Sequence, residues 1–582
     1  MKRLILGLVP LLVGWQNPSA AATYFIDFVG GDDYAIGTSP SMPWKHGPGD
    51  PKALGRSGAA KLWPGDTVRF RGGVVYRGSI KASFDGSPGN PITYTGLGFG
   101  NGHAIFDGAD AVTAITPCPS AKMCDDARDW EGLSVVTFRP PPTRFIKLYG
   151  APNTVLVEAQ TPQAKDGFFA DDIADFATSP LADKAMIEKG RLRSPAMVRA
   201  LAGRSKGSLV IWVYGTEIVR RPIVGIDGDY LLFVPDGIRL WPDRDGRYAL
   251  LGDVNAISAP GQYVVTSPGV AIVRVPQGAT LQVGNGRGGF ELRGRQHLAI
   301  RGFVFRHQTA ANYNEGVSIS RTGPKGSGLL IDGNLFQDQA LLDGKGVMTL
   351  AGIDGVIVTN NIISNIEHGS GVRAGGVNTS NILIAHNRFA TLGRTGVAML
   401  GVANSKIANN VFTNLRGIHG NGISLYLSNR RAEVVDNRIE ATTRPMTFSG
   451  EANLRAVPNS NLVPPGNNDF LIERNIFVTP VPHSAALISW GANTRSVTIK
   501  NNVLIGPITG FLANGSDSGI VYTENYSSGY SVYREPDSDW TIARNRKAGP
   551  ILQISKLRPR DVPALCKAAA VSVGQTLGGF AC

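Results

Sequence analysis

Residues 417–441 read GIHGNGISLYLSNRRAEVVDNRIEA. A glycine-rich turn leads into an alternating run, Ile423-Ser424-Leu425-Tyr426-Leu427, and a basic turn follows. A second short run, Ala432 to Val435, ends at Asn437. Apolar residues on every second position mark strands rather than helix, and glycine and asparagine mark the turns between them. The same unit recurs along the chain. LLIDGNLF brings Asn334, VIVTNNII Asn361, ILIAHNRF Asn387, SKIANNVF Asn410, FLIERNIF Asn475, VTIKNNVL Asn502 and IVYTENYS Asn525, while LAIRGFVF carries Gly302 in the corresponding place. From Asn334 to Asn525 the steps are 27, 26, 23, 27, 38, 27 and 23 residues. The long step holds the insertion SGEANLRAVPNSNLVPPGNND.

A period of about 25 residues built from short strands denotes a solenoid, in which each repeat buries its apolar face only against its neighbours. The asparagine position is expected to take a left-handed turn, and stacked asparagines can hydrogen-bond along the column. The expected fold is all-β: a parallel β-helix with coils about 4.8 Å apart. Between the early coils and the main repeat the period is lost. SLVIWVYGTEIVRRPIVGIDGDYLLFV and ISAPGQYVVTSPGVAIVRVPQG alternate with no 25-residue repeat, which predicts an inserted β-rich domain over 140–285.

The composition fits this reading. Of 582 residues 72 are glycine, 42% are hydrophobic and 18% charged, a turn-rich globular balance and not a disordered one. The first 22 residues, MKRLILGLVPLLVGWQNPSAAA, have the charged start, short apolar run and small-residue end of a secretory signal, so a secreted or periplasmic protein is expected. No other segment has the length of a membrane span. The formal charge of +13, two fewer without Lys2 and Arg3, points to an anionic partner. Cys118 and Cys124, and separately Cys566 and Cys582, read as two local disulfides.

The repeat resembles that of the secreted right-handed parallel β-helix proteins, which include many polysaccharide lyases and glycoside hydrolases. The resemblance runs from Phe290 to about Tyr533. YFIDFVGGDDYAIGTSPSMPWK, LWPGDTVRFRGGVVYRGSI and GSPGNPITYTGLG extend it to a cap and first coils. It implies a signal over 1–22, cap and first coils over 23–139, the insertion over 140–285, the main helix over 286–533 and a closing cap over 534–582, with a short helix near Val562 to Ala570. Calcium is common among β-helix lyases, and the stretch Gly30-Gly31-Asp32-Asp33 is where the resemblance would seat it; a cap turn explains the same residues.

Placing the strands after each glycine turn in register sends Val317, Val347, Val372, Val397 and Ile423 inward, and Ser318, Met348, Arg373, Ala398 and Ser424 outward. A column before them reads Asp343, His368, Gly393 and His419, with Glu315, Glu367 and Arg394 beside it. One wall of the column thus collects His368, Arg373, His419, Glu367 and Asp343 as candidate catalytic groups, and Lys345, Arg394, Arg416 and Tyr426 as candidate substrate contacts. A groove across parallel strands suits an extended polymer; the expected partner is an anionic polysaccharide bound by a monomer, not nucleic acid. Two reactions fit. In β-elimination a base such as His368, His419, Lys345 or Tyr426 takes the proton beside a uronate carboxylate, and Arg373 and Arg394 neutralise the enolate. In hydrolysis Asp343 and Glu367, one coil apart, would act as paired carboxylates about 5–6 Å apart. Elimination is preferred on charge; a non-catalytic glycan-binding surface protein is the remaining reading.

Overall fold

The computed structural model describes residues 21–547 except 142–145, 152–155, 164–176, 180–182, 202–206, 213–217, 241–245, 310–317, 342–345, 377, 416–419, 428, 442–443, 451–467, 479–485, 490–493, 506–510, 514–516 and 528–538. The signal reading, the expected helix near Val562 and the Cys566–Cys582 pair lie outside the described residues.

Three parallel sheets, of thirteen, twelve and ten strands, run the length of one column. Each coil adds one strand to each sheet. Ser380–Ala385 joins the first, Arg388–Leu392 the second and Val397–Leu400 the third, and the next coil begins at Ala403–Ala408. The alternation seen in the sequence decides what faces in. In Arg430–Val435, Ala432 and Val434 are buried, while Glu433 points out to an exposed ion pair with Lys406. Between coils identical residues stack: the rings of Phe305 and Phe336 lie 4.9 Å apart and those of Phe389 and Phe412 4.5 Å apart, nearly parallel. Burying each such ring contributes about 1.5–3 kcal/mol.

The asparagine column is inside the helix. Asn361 Oδ1 accepts from the backbone N and Nδ2 of Asn334, and Asn361 in turn donates from N and Nδ2 to Asn387 Oδ1, all at 2.9–3.1 Å. The pattern continues through Asn410, Asn437, Asn475, Asn502 and Asn525 to Asn545. The expectation about the turn needs one correction. The left-handed residue is the one before each asparagine: Gly333, Asn360, His386, Asn409, Asp436, Arg474, Asn501 and Glu524. Gly302 belongs to that column, and Phe303 holds the place of the first asparagine, its backbone N donating to Asn334 Oδ1 at 3.0 Å.

The third sheet also corrects the register at its start. Ile319 lies opposite Met348, and Met348 opposite Val372, so Met348 faces the core and is fully buried. The outward column is Ser320, Thr349, Arg373, Ala398, Ser424 and Thr447. Gly346 pairs with Ser370 and not with Gly371, so matching glycine to glycine slips the early strands.

The inserted part leaves the column after Ala104–Asp107 and returns at Phe290–Glu291; these flanking coils close on each other, with Phe290 beside Ile80 and Phe305 beside Phe106. The excursion therefore begins well before residue 140, where the texture of the sequence changes. Ala114–Pro117 and Ser134–Thr137 already belong to its five-stranded sheet. A sheet centred on Ser208–Trp212, between Ile218–Asp227 and Gly246–Leu251, carries a second core of Leu192, Leu209, Ile211, Leu231 and Leu250. The Cys118–Cys124 disulfide, with Cα atoms 5.9 Å apart, packs on Val254, Ile257, Val264 and Ile272. Among the described residues no helix is long and apolar enough to cross a membrane.

Candidate active site at the seam

A second set of left-handed residues shapes the second sheet near its exit. Asp338, Asn365, Thr391 and Asn414 all have positive φ and stack, Asn365 Nδ2 donating to Asp338 Oδ1 and Asn414 Nδ2 to Thr391 Oγ1, each at 3.1 Å. Each bends its strand so that the next residue, Gln339, Ile366, Leu392 or Leu415, points inward. The residue after that is left on the outer wall. In successive coils it is Ala340, Glu367 and Gly393. Small neighbours on both sides of Glu367 make room for the inserted part to sit directly on it.

The inserted part sends three groups into that space. Lys147 precedes the strand Leu148–Ala151, and its ammonium forms a close ion pair with Glu367 Oε2 while also donating to the Leu156 carbonyl. Tyr149, two residues on, packs with Ala109 and Ala340, and its hydroxyl meets Thr309 Oγ1 at 2.7 Å. Tyr263 lies deeper, fully enclosed near Glu158, which Arg220 grips with two bonds of 2.8 and 2.9 Å. Burial pushes both phenols up, so they are neutral donors. For Glu367 burial acts upward as well, but Lys147 and His368 outweigh it and hold the carboxyl below its ordinary range. It is a buried anion, with only 7% of its surface exposed.

His368 turns the corner out of the second sheet with φ 56°. Its Nε2 lies 3.2 Å from Glu367 Oε1, so one carboxylate oxygen serves Lys147 and the other serves the imidazole. Gly393, in the next coil, packs on the His368 backbone, where a Cβ would come within 2.6 Å of its nitrogen. Arg394 follows it. Arg373, exposed on the third sheet between Thr349 and Ala398, is held below the usual arginine value by its surroundings and by the positive charge of Arg394. Because Arg373 remains exposed, the cationic neighbour is the effect that matters for a ligand: an anion between the two would relieve their repulsion.

Of the residues singled out in the sequence, Glu367 and His368 come into contact; Arg394 follows Gly393, which packs on the His368 backbone, and its charge acts on Arg373. Tyr426 lies two coils beyond Gly375, about 10 Å along the stack. There its hydroxyl donates to Thr447 Oγ1 at 2.7 Å beside Ser424 and Asn421, and burial raises its pKa. Asp343, Lys345, Arg416, His419 and Glu315 lie outside the described residues. Sequence reasoning missed Lys147, Tyr149 and Tyr263, which sit in the non-periodic part. A separate open cavity of about 680 Å³, lined by Arg128, Gln163, Arg199, Asp253 and Asn255 among others, lies wholly within the inserted part and contains none of these groups.

The stretch Gly30 to Asp33 does not fit calcium. Asp33 spends both carboxylate oxygens on His46 and on the backbone N–H groups of His46 and Leu54, and Asp32 accepts from the Tyr34 backbone. Among the described residues no three His, Cys, Asp or Glu side chains gather as a metal site.

The family model described as a right handed beta helix region matches residues 281–439 and 350–527. No curated protein sequence matches the chain. Among solved structures, one described as a glycoside hydrolase superposes with a TM-score of 0.51 at 11% identity, covering 92% of this chain and 98% of that one. XylC in complex with xylose gives 0.44 at 11% identity over 90% of this chain and 86% of that one. A double mutant of the periplasmic alginate epimerase AlgG gives 0.33 at 13% identity over 44% of this chain and 61% of that one. At 11% identity the first of these likenesses speaks for the fold alone. Three parallel sheets, an internal asparagine ladder and the family match over 281–527 give the chain the fold of a right-handed parallel β-helix with an inserted β-rich part.

Proposed function

We propose that the protein is an exported enzyme that cleaves an acidic polysaccharide by β-elimination at the seam between the column and the inserted part. The observation that carries this reading is the Glu367–His368 contact, with Arg373 farther along the same coil and Arg394 next to the glycine that packs on His368. Glu367, ionised and buried, orients the imidazole and stabilises it once it gains a proton. His368 takes the proton on the carbon that bears the uronate carboxylate. Arg373 and Arg394 bind that carboxylate and neutralise the enolate that forms. The electron pair then expels the glycosidic oxygen on the adjacent carbon, which takes up the proton that His368 removed, and a double bond remains in the sugar. The Cys118–Cys124 disulfide supports an oxidising compartment.

A second reading is hydrolysis by paired carboxylates. It is favoured by one feature: the Leu341 backbone N donates to the Glu367 carbonyl at 2.9 Å and Gly346 pairs with Ser370, so both flanks of the stretch holding Asp343 lie on the coil next to Glu367. The full-length likeness to a structure described as a glycoside hydrolase is compatible with it. Against it stands the charge state of Glu367, which as a general acid would need the proton that Lys147 and His368 keep away.

Incubating the full chain with a panel of acidic and neutral polysaccharides separates these. Ultraviolet absorbance from unsaturated ends, rising with reducing ends, is the expected result, and His368→Ala should lower the rate by about 10²–10⁴-fold. Reducing ends alone would replace elimination by hydrolysis. Tight binding with neither signal would leave a glycan-binding protein.

A further inference from the structure

We propose that Lys147, supplied by the inserted part, is a positioning residue for the Glu367–His368 pair, so that the base is in its working form only when the inserted part is docked on the column. This deepens, and rests on, the reading of His368 as base. The argument is geometric. Glu367 has two oxygens and two partners: Lys147 Nζ on Oε2 and His368 Nε2 on Oε1. Lys147 is itself buried and its ammonium is also tied to the Leu156 carbonyl, so it holds Oε2 from a fixed point of the inserted part. With Oε2 held, Oε1 has one orientation toward the imidazole. Tyr149, through Thr309, and the contact of its ring with His307 fasten the same strand to the column on either side.

Lysine also sets the charge. Facing Glu367 and His368 from the inserted part are Lys147 and the neutral phenols of Tyr149 and Tyr263; on the column, Arg373 lies farther along the same coil, and Arg394 follows Gly393 of the next coil, which packs on the His368 backbone. The anion of Glu367 pulls a proton onto His368, and the ammonium of Lys147 opposes that pull. Removing the ammonium leaves the carboxylate to hold His368 as imidazolium, which cannot accept a proton at neutral pH. A methionine at 147 should therefore raise the His368 titration midpoint by about one pH unit and so lower the ratio of free base to imidazolium about tenfold.

The test is a titration of the full chain with isotope-labelled histidine followed by NMR, the His368 signal assigned by its loss in His368→Gln. Lys147→Met should move that midpoint up, and Lys147→Arg should keep it near its original value. Because Lys147→Met leaves a buried anion and could unfold the seam, a second comparison removes the pair together. Glu367→Gln lowers the His368 midpoint, and adding Lys147→Met to Glu367→Gln raises it again. On a substrate, the acid limb of kcat/KM should shift with the same sign and size in Lys147→Met. A His368 midpoint that ignores position 147, in the single variant or on the Glu367→Gln background, overturns the proposal. If the midpoint moves as stated but no polysaccharide is cleaved, Lys147 keeps its positioning role and the assignment of His368 as base falls instead.

Discussion

Tyr149, on the inserted part, lays its ring 4.6 Å from the ring of His307 on the column, and its hydroxyl sits 2.7 Å from Thr309 Oγ1. His307 is fixed in turn, its Nδ1 lying 3.0 Å from Asp107 Oδ1, while Arg306 holds the other oxygen at 2.9 Å. Asp107 is the last residue of the strand that precedes the excursion. The chain thus ties its departure point, its inserted strand and the following coil into one buried polar cluster. Tyr149→Phe loses only the hydroxyl's bonds, to Thr309 Oγ1 and the Gln308 carbonyl, and should cost about 1–2 kcal/mol. Tyr149→Ala also empties the space over Ala340 and should cost about 3–5 kcal/mol. Hydrogen exchange in 148–151 against denaturant checks both. Equal protection in the alanine variant and the native chain would mean the seam is held elsewhere.

Acid should open the same seam, and the sign follows from Glu367. Its carboxyl titrates below the ordinary glutamate range in the folded chain, so the Lys147–Glu367 pair stabilises the seam above the unfolded value and is lost as pH falls through the folded one. Exchange in 148–151 should therefore stay slow down to about pH 4 and accelerate below it. In Glu367→Gln this acid step disappears. The variant is weaker at neutral pH by about 3–5 kcal/mol, because a buried ammonium has lost its anion.

How far the sequence speaks is visible at SKIANNVF. The strand, its inward residues and the asparagine ladder follow from alternation and period, because every coil repeats the same local problem. Which of Asn409 and Asn410 takes the left-handed turn does not follow: both are asparagine, and only the inward direction of the second, with its bonds to the coils on either side, separates them. Glu367 and His368 could be singled out for chemistry on one wall of the column. Their setting could not, because Lys147 lies 220 residues away in a part with no period, and the docking of that part is a property of two surfaces and not of any repeat. The third-sheet register departs from the one the glycines suggest for a related reason. Glycines at 346 and 371 invite alignment, yet backbone pairing is set by the turn lengths between sheets.

The asparagine ladder should behave as a load shared by buried bonds. Asn410 Oδ1 accepts from the backbone N and Nδ2 of Asn387, and its own Nδ2 donates to the Ile384 carbonyl, the Ala408 carbonyl and Asn437 Oδ1. Alanine at 410 leaves the Asn387 N–H without its acceptor in the interior, at about 1–3 kcal/mol, and also removes a donor to the Ile384 carbonyl. Removing an exposed charge on the same coil, in Lys406→Ala, should change stability by less than about 1 kcal/mol, since the Lys406–Glu433 pair faces water. Thermal unfolding of both variants tests the contrast. Similar losses would show that the ladder adds little beyond filling space.

Asp517 gives a pH dependence of the opposite sign. It is 1% exposed; one carboxylate oxygen accepts from the Thr494 backbone N at 3.1 Å, and the other has no hydrogen-bond partner among the described residues. Burial pushes its pKa up to about 6 against the bonds from Ser489 and Thr494. The folded chain therefore binds this proton more tightly than the unfolded one. Stability from this group is full below the unfolded value near 4 and is lost as pH rises toward 6, by about 3 kcal/mol in all. Asparagine keeps an oxygen for Thr494 and removes the charge. Asp517→Asn should unfold at a higher temperature than the native chain at pH 7.5 and at nearly the same temperature at pH 4. A native chain whose unfolding temperature does not fall between pH 4 and pH 6 relative to this variant would show that Asp517 is ionised without cost, and so that a partner satisfies its second oxygen.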